Sequence, residues 1–171
     1  PEFGVKCFRA RLLQLLADLR AGALGNYKAH CYRIEFQKRG LPHVHLLLWV
    51  EGGRYARDID SVVAAELCTE TAALFGVAKR HMVHGPCKGR ECFVDGANAD
   101  FPCARRFPKH FRAGASAVAD DHYARYRRRS FAGAPGFAYR AEGRRPPADN
   151  DFVVAHSSVL MLKHRCYLNV A

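Results

Sequence analysis

Two consecutive segments of alternating polarity, residues 27–37 and 43–50, constrain the fold of this chain more than any other feature. In the first segment, Tyr32, Ile34 and Phe36 alternate with polar residues. A turn that contains Gly40 and Pro42 joins the two segments. Alternation with a period of two is typical of β-strands, and a short Gly/Pro turn favours antiparallel pairing of its neighbours. We therefore predict a β-hairpin with one apolar face and one polar face.

The polar face of this hairpin carries four potential metal ligands, Glu35, Gln37, His43 and His45. Residues two apart on a strand point to the same side, so the two histidines project together. A simple register places Gln37 beside His43 and Glu35 beside His45. Two imidazoles and a carboxylate suit a divalent cation with positions open for substrate oxygens. Trp49 shares this face; we expect it in the core, and base stacking is the alternative.

The remaining elements are predicted from helical periodicity and from Gly and Pro positions. Leucines at 12, 13, 15, 16 and 19 indicate a helix over Phe8–Leu19, which Gly22 and Gly25 end. Residues 58–82 are predicted to be largely helical, in one or two pieces, and residues 84–119 to be irregular. We also expect a short strand at 152–154, a short helix at 159–163 and an extended segment at 166–170.

The strong positive charge of the chain points to a polyanionic partner, most often nucleic acid. The net charge is +11 and the pI is near 9.6. Between residues 105 and 145 the basic residues are Arg105, Arg106, Lys109, Arg112, Arg125, Arg127, Arg128, Arg129, Arg140, Arg144 and Arg145, against three acidic ones, Asp120, Asp121 and Glu142. This tract is either a solvated basic face or a phosphate-binding surface whose affinity falls steeply with salt. We predict DNA contacts at Arg127, Arg128 and Arg129, and at Lys38 and Arg39 in the hairpin turn.

A second group of potential ligands is His84, Cys87, Cys92 and Cys103, with His81 as a competing ligand. Structural Zn²⁺ takes four Cys or His ligands, and this irregular region would be stabilised by such a site. The spacing differs from that of a standard zinc finger, and free thiols in a loop are the alternative. The chain has seven cysteines and neither a secretion signal nor an apolar run of the roughly 18–20 residues needed for a membrane span. We therefore expect a reducing, intracellular location without membrane contact.

The run from Ile34 to His45, with the sequence IEFQKRGLPHVH, closely resembles the signature of helitron-type transposases. These transposases belong to the rolling-circle replication initiators with a His-hydrophobe-His motif. The resemblance continues in the same order through shorter motifs and so extends over nearly the whole chain. Those motifs are His84–Cys87, Phe107–Lys109, Tyr126–Arg129, Asp149–Asn150 and Leu168–Val170.

This resemblance implies a metal-dependent DNA-nicking chemistry. Two histidines and an acidic or amide residue bind Mg²⁺ or Mn²⁺, and a tyrosine hydroxyl attacks the scissile phosphate to leave a 5′-phosphotyrosine. Carried over, His43 and His45 are ligands, Glu35 is the third ligand and Gln37 is the alternative. The implied fold is α+β, an antiparallel sheet with helices packed on one face in a ferredoxin-like HUH endonuclease core. It would form one domain over residues 1–171, with a zinc-stabilised insert at 81–111. The implied partners are single-stranded DNA and a helicase domain of the same parent polypeptide, in the nucleus.

Departures from the family pattern concern the nucleophile. Ala171 follows Asn-Val where Glu is usual, and His156 stands where Tyr is typical. The family's nucleophilic tyrosines lie on a helix beyond the Asn-Val-Glu motif, so we expect this chain to be truncated before that helix and unable to nick by itself. Tyr123 and Tyr126, which would share a face on a helix, are weak candidates within the chain.

Two other functions remain open at this point. A non-catalytic basic nucleic-acid-binding module with a vestigial His pair would bind DNA regardless of chelators. A hydrolytic metal nuclease would cleave through activated water and leave no covalent adduct. The chain offers no second carboxylate cluster for two-metal chemistry, so the hydrolytic nuclease ranks last.

Overall fold

The computed structural model describes residues 2–37, 40–51, 58–67, 69–85, 92, 103–130 and 149–170. The chain divides into two compact units, residues 1–57 and residues 58–171. The first unit contains α1 (Glu2–Arg20), β1 (Asn26–Phe36) and β2 (Pro42–Glu51). The second contains α2 (Ala72–His81), β3 (Ala117–Val118), β4 (Ala124–Arg125) and α3 (Ser158–His164), with 3-10 turns at Ile59–Ser61 and Asn150–Phe152.

Helix α1 has one buried apolar face, as its leucine spacing predicts. The buried leucines are Leu12, Leu15, Leu16 and Leu19, which follow the i, i+3, i+4, i+7 spacing of one helix face. Leu13 points away from this face and is exposed. The helix gives way to a turn in which Gly22 and Gly25 have φ angles of 91° and 119°. Only glycine adopts such angles readily, so these two residues set the end of α1.

Strands β1 and β2 form the predicted antiparallel hairpin. The backbone N–H of Gln37 donates to the Leu41 carbonyl at 2.9 Å, and the N–H of Gly40 donates to the Gln37 carbonyl at 2.7 Å. The apolar face of the hairpin is less buried than its sequence predicts. The side chains of β2 on this face are half-buried, whereas Tyr32, Ile34 and Phe36 of β1 are exposed.

The core of the second unit gathers residues from α2, α3 and the irregular segments between them. Its buried members are Leu67, Leu74, Ala78, Met82, Cys103, Phe107, Val153, Val154 and Met161. Two isolated β-bridges hold the extended segments together, between residues 64 and 156 and between residues 83 and 153. These bridges bring the chain after Asn150 against the segments on both sides of α2.

The helix predicted over residues 58–82 is wrong for the stretch between the first 3-10 turn and α2. There the described residues are not helical because tertiary hydrogen bonds satisfy their backbone groups. Ala64 and His156 exchange two backbone hydrogen bonds of 2.8 Å. The N–H of Leu67 donates to the side-chain oxygen of Asn150 at 2.7 Å. Distant residues have thus replaced the i to i−4 bonds that a helix would have made.

Near the end of the chain one prediction is wrong and another is confirmed. The strand expected at 152–154 is a 3-10 turn, Asn150–Phe152, followed by a single bridging residue, Val153. The short helix expected at 159–163 is confirmed as α3. The extended segment expected at 166–170 forms no strand, although the N–H of Val170 donates to the Ala155 carbonyl at 3.0 Å.

The predicted α+β class is confirmed by the three helices and two small antiparallel sheets of the described residues. The ferredoxin-like arrangement stays a prediction, as do the single domain over residues 1–171 and the insert at 81–111. None of the helices in the described ranges is long and apolar enough to cross a membrane.

Candidate functional site

The polar face of the hairpin brings together three of the predicted ligands. In the observed register Glu35 pairs with His43 and Arg33 pairs with His45. The predicted pairing of Gln37 with His43 is therefore wrong by two residues. Gln37 belongs to the turn, where its backbone groups form hydrogen bonds with Gly40 and Leu41. A shift by an even number of residues leaves every side chain on its original face. Glu35, His43 and His45 therefore still share one face.

The side chains of this set lie close together at the surface. The Glu35 Oε2 atom is 3.3 Å from the His45 Nε2 atom, and Oε1 is 3.5 Å from the Arg33 Nε atom. The ring centroids of His43 and His45 are 4.8 Å apart with an interplanar angle of 71°. The side chains of His45 and Glu35 are 63% and 43% exposed. Two imidazoles and one carboxylate are ligand types that a divalent cation accepts, although among the described residues the ligand atoms of this set are not gathered as closely as those of His84, Cys92 and Cys103.

Trp49 lies on the same face of β2 as His45 and is 52% exposed. The expectation that it belongs to the core is wrong, since about half of its surface is exposed to solvent in the part of the chain that the structure describes. An exposed indole next to a ligand set is a surface on which an unpaired base can stack.

The second predicted ligand group also comes together, through residues far apart in the chain. Ligand atoms of His84, Cys92 and Cys103 all lie within 4.8 Å of one another. Cys92 and Cys103 are not joined in a disulfide. Cys103 is buried, and the other two residues are half-buried. His84, and not the competing His81, joins this cluster.

Two of the distances in this cluster are close to those between ligands of a tetrahedral zinc site. The His84 Nε2 atom is 3.2 Å from the Cys103 Sγ atom and 3.7 Å from the Cys92 Sγ atom. With Zn–S near 2.3 Å and Zn–N near 2.0 Å, tetrahedral geometry places such ligand atoms about 3.6 Å apart. The backbone N–H of Arg105 donates to Cys103 Sγ at 3.4 Å, a contact that stabilises a thiolate. The three residues therefore fit a metal ion that also takes a fourth ligand.

The three consecutive arginines of the basic tract have different surroundings. Arg128 is buried, and its Nη1 atom donates to three backbone carbonyls. Arg129 forms a two-pronged ion pair with Glu66, with a shortest contact of 2.7 Å, which raises the pKa of Arg129. Arg127 lies 3.3 Å from Asp60. Protein groups therefore already engage all three guanidinium groups.

The two weak tyrosine candidates do not lie on a helix. Tyr123 and Tyr126 flank the short strand β4, where residues three apart point to opposite sides. Tyr123 is exposed, and Tyr126 is half-buried. The shared face that a helix would have given them does not exist.

A basic and aromatic cleft in the second unit was not predicted from the sequence. Its volume is about 580 Å³, and its lining includes Arg105, Phe107, Lys109, Phe111, Arg112, Arg125, Tyr126 and Tyr167. Burial, together with the charges of Arg128 and Arg106, lowers the pKa of Lys109. The sequence signal for this cleft is the interleaving of cations and aromatic residues in the run 105–112. The number of basic residues alone does not indicate it.

Three predicted site residues lie outside the described residues. They are Lys38 and Arg39 of the hairpin turn and Cys87, the expected fourth ligand of the His/Cys cluster.

Comparison with known proteins finds a family match at the start of the chain. Residues 1–48 match the family model described as "Helitron helicase-like domain at N-terminus". This match spans α1, β1 and most of β2, and it includes Glu35, His43 and His45. No curated protein and no solved structure matches the chain significantly. The first 48 residues are thus similar to a helitron helicase-like N-terminal domain, which indicates a transposon-related function.

Proposed function

We propose that this chain is the metal-binding part of a domain that nicks and transfers single-stranded DNA during rolling-circle transposition. The observation that carries the proposal is that Glu35, His43 and His45 lie on one hairpin face, with His45 exposed and the other two half-buried. The similarity of residues 1–48 to a helitron helicase-like domain supports it. The net charge of +11 suits a polyanionic substrate.

Each member of the set has a definite part in this proposal. His43 and His45 supply neutral imidazole nitrogens, and Glu35 supplies a carboxylate oxygen; Gln37 is the alternative third ligand. Bound Mg²⁺ or Mn²⁺ supplies Lewis-acid polarisation of the scissile phosphate. The Glu35 carboxylate also lies 3.5 Å from the Nε atom of Arg33, which is an exposed contact. Trp49, exposed on the same face, stacks on an unpaired base of the substrate strand.

The attacking tyrosine is proposed to come from outside this chain and to form the 5′-phosphotyrosine link. Within the first unit, the described tyrosines are Tyr27 and Tyr32. Tyr32 pairs with Leu46 and therefore points to the face opposite the ligands. The hydroxyl of Tyr27 is bonded to His30 Nδ1 at 2.7 Å, at the far end of the hairpin. Neither tyrosine is placed to attack a phosphate held at His43 and His45.

The His84, Cys92 and Cys103 cluster is proposed to bind structural Zn²⁺, with Cys87 as the fourth ligand. The ligand distances and the N–H bond to the Cys103 sulfur support this assignment. The other proposed partner is a helicase domain of the same polypeptide, acting on the nicked strand in the nucleus.

A second candidate function is nucleic-acid binding without catalysis. A non-catalytic nucleic-acid-binding module needs only the basic surface, and the described tyrosines of the first unit are turned away from the ligand set. In that case the His pair is vestigial, and DNA affinity is independent of divalent cations.

The deciding experiment is calorimetric titration with Mn²⁺. We expect the wild-type chain to bind Mn²⁺ and the His43→Ala/His45→Ala variant to lose binding. Glu35→Gln, which keeps the size of the side chain and removes its charge, should weaken binding by about tenfold or more, in the range typical of altered metal sites. Gln37→Ala should have a smaller effect if Glu35 is the third ligand.

The matched control is His122→Ala, which removes an exposed imidazole from the second unit. It should leave Mn²⁺ affinity unchanged. Binding that survives in the double variant, or is absent from the wild type, overturns the nuclease proposal and leaves the binding module.

A further inference from the structure

The cleft of the second unit is large enough for a small ligand and lies apart from the hairpin ligands in the chain. Its volume of about 580 Å³ lies within the roughly 300–1,000 Å³ that is usual for small-ligand sites. The described residues that line it all belong to residues 84–169. One wall adjoins the His/Cys cluster, because the Phe107 ring stacks on His84 with centroids 4.3 Å apart.

The charge of the cleft is of one sign. Arg105, Lys109, Arg112 and Arg125 line it, and none of the described lining residues is acidic. The Lys109 ammonium group is held 5.0 Å above the Phe107 ring and donates to the Arg105 carbonyl at 3.0 Å. The ammonium group is therefore fixed in position. Arg125 is paired with the Asp121 carboxylate, so an anion entering the cleft would meet mainly Arg105, Lys109 and Arg112.

The cleft also presents aromatic rings to solvent. Phe111 is 50% exposed and Tyr167 is 46% exposed, and both line the cavity. Exposed rings beside a row of cations are the arrangement by which proteins hold single-stranded nucleic acid, with phosphates on the cations and bases on the rings.

We propose that this cleft binds a nucleotide of single-stranded DNA, with its phosphate at Lys109 and Arg112 and its base stacked on Phe111. The inference rests on the proposed function for the identity of the polymer. It adds a binding site built from residues of the second unit, whereas the proposed metal ligands belong to the first. A single strand fits because a concave site with aromatic walls admits an unpaired base, whereas paired bases in a duplex keep their faces stacked on one another.

The test measures the affinity of the chain for a dye-labelled oligothymidylate by fluorescence anisotropy, in zinc-containing buffer. Phe111→Leu should weaken binding by about tenfold, within the range found for removal of one stacking ring, whereas Phe111→Trp should restore it. Lys109→Met and Arg112→Met should each lower the affinity. Each should also make the slope of log K against log salt concentration shallower by about the amount that one phosphate contact contributes.

Matched controls separate the cleft from general effects. Arg80→Met removes an exposed cation from α2, outside the cleft. It should lower the affinity for the oligonucleotide much less than the cleft variants do. Circular dichroism and thermal melting establish that each variant is folded. Equal losses in Arg80→Met and Arg112→Met would mean a diffuse basic surface and would overturn the proposal.

The same titrations are repeated in the His43→Ala/His45→Ala background, which removes the proposed metal face. The loss of affinity caused by Phe111→Leu should be the same in that background. The proposal for the cleft can therefore be tested even if the metal proposal fails. Duplex DNA that binds as tightly as the single strand overturns the proposal. So does thymidine monophosphate that competes as well as the oligonucleotide, since that result assigns the cleft to a free nucleotide.

Discussion

At the scale of single residues, Arg128 shows how a cation of the basic tract acts inside the fold. Its Nη1 atom donates to the carbonyls of Ala65, Asn150 and Val153 at 3.1, 2.6 and 2.6 Å. Burial lowers the pKa of Arg128 to about 10, and the charges of nearby Asp151 and Glu66 oppose that shift. The guanidinium therefore remains charged at neutral pH and joins its own segment to Ala65 and to the turn at residues 150–153.

Replacing Arg128 should destabilise the chain strongly. Arg128→Met leaves three carbonyls without their donor, and we expect a loss of about 3 kcal/mol in the free energy of unfolding, measured by urea denaturation. Arg129→Met is the control, because its guanidinium group is 60% exposed and should contribute less than about 1 kcal/mol. Equal losses in the two variants would contradict the structural role of Arg128.

His156 should make stability depend on pH. Burial lowers its pKa, the charge of Arg128 lowers it further, and the bond to the Val154 carbonyl partly opposes both. The unfolded chain then takes up the proton first, at its ordinary pKa of about 6.5. Stability is fully present above that pH and is lost as the pH falls toward the lower folded-state pKa, by at most about 1.4 kcal/mol per pH unit.

The check on His156 is urea denaturation between pH 5 and pH 8 for the wild type and His156→Asn, a range that brackets the ordinary histidine pKa. The variant keeps a donor for the Val154 carbonyl but has no group that titrates there. Its stability should fall less on acidification than that of the wild type. Identical slopes would show that His156 does not carry the dependence.

At the scale of elements, the ends of α2 are set by local chemistry. Thr71 is the N-cap, and its Oγ1 atom accepts a hydrogen bond from the N–H of Leu74 at 3.2 Å. The last turn carries Lys79, Arg80 and His81, a basic end that suits the helix dipole. This cap begins the helix at residue 72 even though apolar residues at helical spacing continue before it.

Removal of the cap should loosen α2. We expect Thr71→Ala to cost about 1 kcal/mol of unfolding free energy and Thr71→Ser, which retains the hydroxyl, to cost much less. Urea denaturation followed by far-ultraviolet circular dichroism measures both. If Thr71→Ser lost as much as Thr71→Ala, the hydroxyl bond would not be the stabilising contact.

At the scale of the whole molecule, the His/Cys cluster is joined to the core of the second unit. Cys103 and Phe107 are buried core members, and Cys92 packs against them. The Phe107 ring lies between His84 and Phe152, with centroid separations of 4.3 and 6.3 Å. A metal ion held by this cluster would therefore stabilise the core as well as the loops.

Zinc should raise the melting temperature of the chain, and a chelator should lower it. Binding to the folded state alone contributes about 4 kcal/mol at a zinc concentration a thousandfold above the dissociation constant. Cys103→Ser should lose both the bound metal, measured by elemental analysis, and the response to chelator. Cys31→Ser removes an exposed thiol and should behave as the wild type does. A wild-type chain without metal, melting alike with and without chelator, would refute the site.

Local pattern was sufficient for the first unit. The alternation in residues 27–37 and 43–50 predicts the hairpin, and it places Glu35, His43 and His45 on one face even with the wrong register, because the error was an even number of residues. The leucine spacing likewise predicts the buried face of α1. Both features have periods of a few residues, so neighbouring side chains suffice to determine them.

Only the tertiary structure decided the second unit, where the important contacts join residues distant in the chain. The His84 to Cys103 contact spans 19 residues, and the bond from Leu67 to Asn150 spans 83. No periodicity encodes such distances, because they depend on which segments pack together when the core forms. The sequence by itself determined the ligand face of the hairpin and the cysteine and histidine candidates. Packing determined that Arg128 is internal, that Trp49 is exposed and that a basic cleft opens beside the His/Cys cluster.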